Sequence, residues 1–197
     1  KELVICALLL ASRKVVQGAN WVKGLKGTPD IGPAAEKGKS TYAGPEIAGK
    51  KLGIIGLGGI GQTVAGIANA FGMKVSAWNS HVPAQVFENL NVTPVEDMNE
   101  LISNSDVVSV HMPLLDSTRG IITAKNLDAL RPGTLFVNTA RAEVIEPGAL
   151  LARLQRGDIP AALDVFDHEP PTILCARFPA SCSPRTSHGA PTARISA

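Results

Sequence analysis

A glycine-rich turn between an apolar run and an amphipathic run constrains the fold of this chain more than any other feature. The stretch that begins at Lys51 reads KLGIIGLGGIGQTVAGIANAFGMKVSAWN. It predicts a strand, then the spacing Gly56-x-Gly58-x-x-Gly61, then a helix and a second strand, which is the setting that indicates a dinucleotide site. There Gly56 permits a tight turn, Gly58 lets the backbone approach a pyrophosphate, and Gly61 allows the helix to pack closely on the strand.

The rest of the chain continues this alternation of strands and helices. Strands are predicted at 52–55, 73–78, 106–112, 133–139 and 161–166, and helices at 3–11, 62–70, 98–102, 124–130 after an N-cap at Thr123, and from Pro147 to Gly157. The Gly-, Lys- and Pro-rich stretch 23–50 predicts a loop or covering arm. Such alternation is typical of an α/β, Rossmann-like parallel sheet with helices on both faces. A glycine turn in such a domain without a bound dinucleotide remains an alternative.

Composition narrows the function classes. The 197 residues carry a formal net charge of +2 and no run of Lys and Arg, so nothing indicates a nucleic-acid partner. The apolar run 3–11 is too short to span a membrane and lies beside Glu2, so we interpret it as a buried helix rather than a signal peptide. The three cysteines fit neither a disulfide framework nor a metal site, which favours a cytoplasmic protein. Because the chain does not begin with Met, we expect it to start inside a longer protein.

The second strand ends at Trp78 and Asn79, the place where an NAD site usually carries Asp or Glu. Asn79 can still hydrogen-bond a ribose hydroxyl, but it lacks the charge that repels the extra phosphate of NADP. His81 could favour a phosphate or be an exposed loop residue. The sequence therefore favours NAD and leaves NADP open.

Three motifs together resemble the NAD-binding domain of the D-isomer-specific 2-hydroxyacid dehydrogenases. They are GKKLGIIGLGGIG, SDVVSVHMPLLDSTRGIIT and LRPGTLFVNTARAEVIEPGALLARLQRGDIPAALDVFDHEP. The resemblance covers 1–170, and the opening looks most like the phosphoglycerate dehydrogenase branch. It implies an NAD-dependent oxidoreductase that acts on a D-2-hydroxy acid or 2-oxo acid, with 3-phosphoglycerate as one candidate substrate. It also implies a homodimer, and a substrate domain that this chain lacks. A co-regulator that binds NAD without dehydrogenase activity is the alternative.

The resemblance also implies roles for particular residues. Arg141 would bind the substrate carboxylate, and Glu169 would pair with the catalytic His. The cofactor contacts would be Gly56, Gly58, Gly59, Ile60 and Gly61 at the pyrophosphate, Asn79 at the ribose, His111 and Pro113 on the adenine side, Thr139 and Ala140 near the nicotinamide ribose, and Asp164 at the nicotinamide amide. A surface ion pair for Arg141 and a solvated loop position for Glu169 are the structural alternatives. Ala142 departs from the family, which usually has Gly there.

The last residues, 171–197, show no apolar periodicity, and we expect them to be irregular. Read in the next frame, synonymous codons for 171–188 can encode DHPLRALPSVVLTPHIA, which contains the LTPHI segment that the family has at its catalytic His. We therefore interpret this tail as a frameshifted translation, with that His encoded across the codons of Arg185 and Thr186. The alternative is that His188 itself is the acid–base catalyst. On the first interpretation, the chain is an inactive fragment whose dinucleotide-binding domain is 1–170.

Overall fold

The computed structural model describes residues 1–27, 29–78 and 82–166. A six-stranded parallel sheet in the order β3-β2-β1-β4-β5-β6 forms its centre. The strands are β1 Lys51–Ile55, β2 Lys74–Trp78, β3 Thr93–Pro94, β4 Val107–Val110, β5 Leu135–Asn138 and β6 Ala161–Leu163. The helices are α1 Glu2–Arg13, α2 Val15–Gly24, α3 Ile31–Gly38, α4 Gly59–Ala70, α5 Ala84–Asn89, α6 Met98–Asn104, α7 Ala124–Asp128 and α8 Ala149–Gln155, with short 3-10 helices at Lys39–Tyr42 and Ala142–Val144. The predicted α/β fold is confirmed.

Helices cover both faces of the sheet, and the alternation of side chains along each strand supplies both cores. In β5, Leu135 and Val137 point to the face covered by α1, α4 and α5, where Val4 and Leu8 of α1 are buried. Phe136, between them, points to the opposite face under α6, α7 and α8. All four residues of β5 are buried, as a parallel strand between two helix layers requires.

Several local predictions hold and others are wrong. Helix α1 is only partly buried, because Val4 and Leu8 are each 1% exposed whereas Leu3 is 50% exposed. The hydroxyl of Thr123 caps α7 as predicted, by accepting from the N–H of Asn126. The stretch 23–50 is not a loop throughout, because α3 and a 3-10 helix lie within it. Helix α8 begins at Ala149 with Gly148 as its cap, so Pro147 lies before the helix. The sequence patterns did not predict α2, α5 or the edge strand β3.

One buried guanidinium joins α7 to α8. Arg153 is 3% exposed. Its Nε donates to the carbonyl of Leu127 at 3.1 Å, and its Nη2 donates to the carbonyl of Leu130 at 2.9 Å. The same guanidinium forms an ion pair with Asp158, just before β6. It thus gives a side-chain donor to two carbonyl groups at the end of α7 and just beyond it.

Within 1–27, 29–78 and 82–166, no helix is long and apolar enough to cross a membrane. The same residues bring together no group of three or more His, Cys, Asp or Glu side chains able to hold a metal ion.

Candidate functional site

The carboxyl ends of four adjacent strands form one row along an edge of the sheet. Ile55 pairs in register with Val110, Val110 with Asn138, and Asn138 with Leu163. The residues that follow these four positions are Gly56, His111, Thr139 and Asp164, all of them predicted site residues. In doubly wound sheets, ligands bind beyond the carboxyl ends of the strands where the strand order reverses, here between β1 and β4.

The turn after β1 needs glycine at its first position. Gly56 has φ +97°, a conformation that side chains with a Cβ rarely adopt. A Cβ there would lie 2.9 Å from Cγ of Met112 and 3.1 Å from the carbonyl carbon of His111. The Gly56 N–H donates to the carbonyl of Trp78 at 3.0 Å, which fixes the turn beside the end of β2.

The other two glycines of the motif differ in what surrounds them. A Cβ on Gly61 would lie 2.3 Å from the carbonyl oxygen of Gly56, so only glycine lets α4 approach the turn this closely. A Cβ on Gly58 or Gly59 would meet nothing within 4 Å. Gly58 caps α4, whose first N–H groups have no partner inside the helix. Ile60, in the first turn, is 58% exposed. Open space therefore lies beside the backbone N–H groups at the start of α4, an arrangement that suits a bound anion.

The segment after β4 lies directly against the glycine turn. The His111 N–H donates to the carbonyl of Ile55 at 2.8 Å, and its Nε2 lies 2.9 Å from the hydroxyl of Ser109. Burial lowers the pKa of His111 to about 4, so its imidazole is neutral at physiological pH. Pro113 is exposed, and its carbonyl accepts from the hydroxyl of Thr118 at 2.7 Å.

The segment after β5 carries the predicted carboxylate-binding residue. Arg141 is exposed and has an extended backbone, and its Nη1 donates to the carbonyl of Ala140 at 2.7 Å. Thr139 and Ala140 are half-buried beside it. Ala142 begins a 3-10 helix and is not among the described residues with positive φ, so the departure from Gly there imposes no backbone strain.

Asp164 follows β6, and its N–H donates to the carbonyl of Asn138 at 3.1 Å. The row therefore includes this predicted residue at its far end. Asn79, Glu169 and His188 lie outside the described residues, as does the whole predicted irregular segment 171–197.

Sequence reasoning missed three buried polar residues that shape this edge. Ser109 and Asn138 are each 1% exposed, and Thr118 is 8% exposed. For Ser109 and Asn138 the available signal was a polar residue inside or at the end of an apolar strand, as in VVSV and LFVN; Thr118 lies in a turn and had no such signal. Burial of such a group is unfavourable unless it is hydrogen-bonded, so its presence indicates a specific partner.

Comparisons with known proteins agree with this geometry. The sequence profile described as "D-isomer specific 2-hydroxyacid dehydrogenase, NAD binding domain" matches residues 5–179. The chain is 37% identical over 171 residues to D-3-phosphoglycerate dehydrogenase of Methanocaldococcus jannaschii, covering 86% of this chain and 31% of that protein. It is 44% identical over 135 residues to hydroxypyruvate reductase of Thermotoga maritima, covering 68% and 43%.

A solved structure of phosphoglycerate oxidoreductase from Vibrio cholerae superimposes with a TM-score of 0.73 at 35% identity. The match covers 86% of this chain and 51% of that one. The chain thus spans between about a third and a half of the length of these proteins.

Proposed function

Because the chain belongs to the D-isomer-specific 2-hydroxyacid dehydrogenases, as their NAD-binding domain, we propose that the whole protein oxidises a D-2-hydroxy acid or reduces the 2-oxo acid. The observation that supports this most strongly is the row of strand ends, which brings the glycine turn and Arg141 to the same edge. NAD, when bound, would supply the hydride acceptor or donor. A 3-phosphoglycerate substrate is the first candidate, because relatives named for that activity match most of this chain.

The residues of this chain would hold the two reactants. The open space beside Gly58 and Gly59 would accept the pyrophosphate, whose charge the N-terminus of α4 favours. Asp164, at the far end of the row, would contact the nicotinamide amide. Arg141 would bind the substrate carboxylate through two parallel hydrogen bonds, a geometry that suits a guanidinium better than an ammonium group. A carboxylate held this way orients the reacting carbon and polarises it.

Proton transfer needs an acid–base that we propose this chain lacks. Our proposal is that 1–170 is the dinucleotide-binding domain and that 171–197 is translated out of frame. Glu169, just before the shift, would keep the imidazole of the missing His protonated. Loss of a general acid–base lowers rates by roughly 10²–10⁴. The chain as written would bind NADH and have no measurable dehydrogenase activity. The test is the coding DNA around Pro171, where an intact frame through 171–197 would contradict the proposal.

We also propose that the whole protein is a cytoplasmic homodimer. The supporting observation is an apolar surface on the first two helices, where α2 has no buried residue. Leu3, Val15 and Val22 are 50%, 50% and 53% exposed there. Exposed apolar groups on neighbouring helices are typical of an interface. Light scattering on the purified chain should give twice the monomer mass, and Val15→Glu with Val22→Glu should return it to a monomer.

The alternative is a co-regulator that binds NAD without dehydrogenase activity. Both functions need the glycine turn, so NADH binding alone does not separate them. The discriminating experiment uses the frame-restored whole protein with 2-oxo acids and NADH. Oxidation of NADH that depends on Arg141 supports the dehydrogenase, and NADH binding without any turnover supports the co-regulator.

A further inference from the structure

Asn138 is the last residue of β5 and follows the apolar residues Leu135, Phe136 and Val137. It is 1% exposed and pairs in register with Val110 on one side and Leu163 on the other. Moving a carboxamide into such a setting is unfavourable unless both its donor and its acceptor find partners.

Both partners of the Asn138 side chain belong to the segment that carries Arg141. Its Oδ1 accepts from the N–H of Ala140 at 3.0 Å, and its Nδ2 donates to the carbonyl of Arg141 at 3.0 Å. The two hydrogen bonds bracket the peptide between Ala140 and Arg141. An uncharged group with one acceptor and one donor is needed to satisfy both, which a carboxamide provides and a carboxylate does not.

The chain beyond Arg141 is held by other contacts. The N–H of Gly120 donates to the carbonyl of Glu143 at 2.9 Å, and the N–H of Ile122 donates to the carbonyl of Val144 at 3.0 Å. The hydrogen bonds of the Asn138 side chain act on 139–141, the short turn from which the guanidinium projects.

We infer that Asn138 is a positioning residue that holds the Arg141 backbone so that its guanidinium is presented to a carboxylate ligand. This inference rests on the proposed carboxylate-binding role of Arg141. Without the two hydrogen bonds from Asn138, Arg141 must become ordered when the carboxylate ligand binds, and the entropy cost of that ordering weakens affinity for the ligand. We expect about a tenfold loss, which corresponds to about 1.4 kcal/mol.

The test uses the full chain, labelled with ¹⁵N and saturated with NADH, and oxalate as the probe. The Nε–H resonance of Arg141 should shift as oxalate is added. In Asn138→Ala the titration should require about tenfold more oxalate, with the melting temperature recorded to confirm that the chain is folded.

Asn138→Asp supplies a readout that a purely structural role would not give. A protonated carboxyl can donate to the Arg141 carbonyl and accept from the Ala140 N–H, whereas the ionised form has only acceptors. Oxalate affinity of this variant, relative to that of the unchanged chain at the same pH, should therefore fall as pH rises through the titration of the new carboxyl. This comparison remains decisive if Asn138→Ala does not fold.

Two results would overturn the inference, and they differ. If the unchanged chain responds to oxalate and both variants respond with the same affinity at every pH, Asn138 does not position Arg141, and the proposed function stands. If Arg141 in the unchanged chain does not respond at all, the carboxylate site fails and this inference fails with it.

Discussion

Replacing Gly61 with Ala should damage both the fold and the cofactor site. The new Cβ would lie 2.3 Å from the Gly56 carbonyl oxygen and 3.3 Å from the carbonyl carbon, both backbone atoms that cannot rotate away. Overpacking of this kind costs about 1–3 kcal/mol, and contact with backbone argues for the upper end. Ala gains about 1 kcal/mol over Gly in a helix, so the net loss is about 2 kcal/mol. For a chain of this size that corresponds to a melting temperature lower by about 4–8 °C.

Relief of this contact requires α4 to move away from the turn, and its first N–H groups then no longer face the pyrophosphate. Affinity for NADH, measured by fluorescence titration, should fall by at least about tenfold, as expected for a displaced charge-assisted hydrogen bond.

Two other glycines of the same segment serve as matched controls for Gly61. Gly66→Ala, on the exposed side of α4 with nothing within 4 Å of its Cβ, should leave affinity unchanged and raise the melting temperature by about 2–4 °C. Gly58→Ala, whose Cβ also meets nothing, should lower the melting temperature less than Gly61→Ala, because only the helix cap is weakened. It should still lose NADH, because the methyl group enters the proposed pyrophosphate position. If Gly61→Ala melted and bound NADH like the unchanged chain, the close approach of α4 to the turn would not matter and our reasoning would be refuted.

Three further predictions concern cofactor choice, stability in acid and catalytic activity. Asn79→Asp should increase the preference for NADH over NADPH in competitive titrations, and an unchanged ratio would mean that residue 79 does not contact the ribose. The hydrogen bond from Arg153 lowers the pKa of Asp158, so the ionised carboxylate stabilises the fold above its unfolded-state pKa, and this stability is lost as pH falls through the lowered pKa. Asp158→Asn should therefore flatten the dependence of the unfolding free energy on pH in that acid range. An unaltered pH dependence would show that the ion pair is not coupled to folding. Restoring the frame and the upstream domain should produce turnover that Arg141→Ala abolishes, whereas activity of the chain as written that His188→Ala stops would refute the frameshift proposal.

The accuracy of sequence reasoning differed between elements for physical reasons. The turn at Gly56 and the helix after it were predictable because each glycine satisfies a local steric requirement that its neighbours in sequence impose. Strand β3 was not predictable, since Thr93–Pro94 is two residues long and owes its strand geometry to pairing with β2. Helix α2 was missed because it buries no residue and so has no core-facing stripe.

The residues of the candidate site also differ in how far the sequence could predict them. Arg141 was predicted from the motif that contains it, but the bracket formed by Asn138 depends on where the chain turns after β5. The apolar periodicity of the sequence does not predict the path of such a turn. A polar residue at the end of a buried strand identifies a position that needs partners, and only coordinates show which partners it has.

The short strand β3 also limits what can attach to this sheet. Ser76 pairs with Thr93 and Ala77 with Pro94, and the N–H of Val95 donates inward to the carbonyl of Ala77 at 3.0 Å. Backbone direction alternates along a strand, so the nitrogen that faces outward from this edge belongs to Pro94 and carries no hydrogen. A strand from another molecule would therefore find no donor at that position. The edge is protected against growth of the sheet from one molecule into the next, which is how exposed strands initiate aggregation.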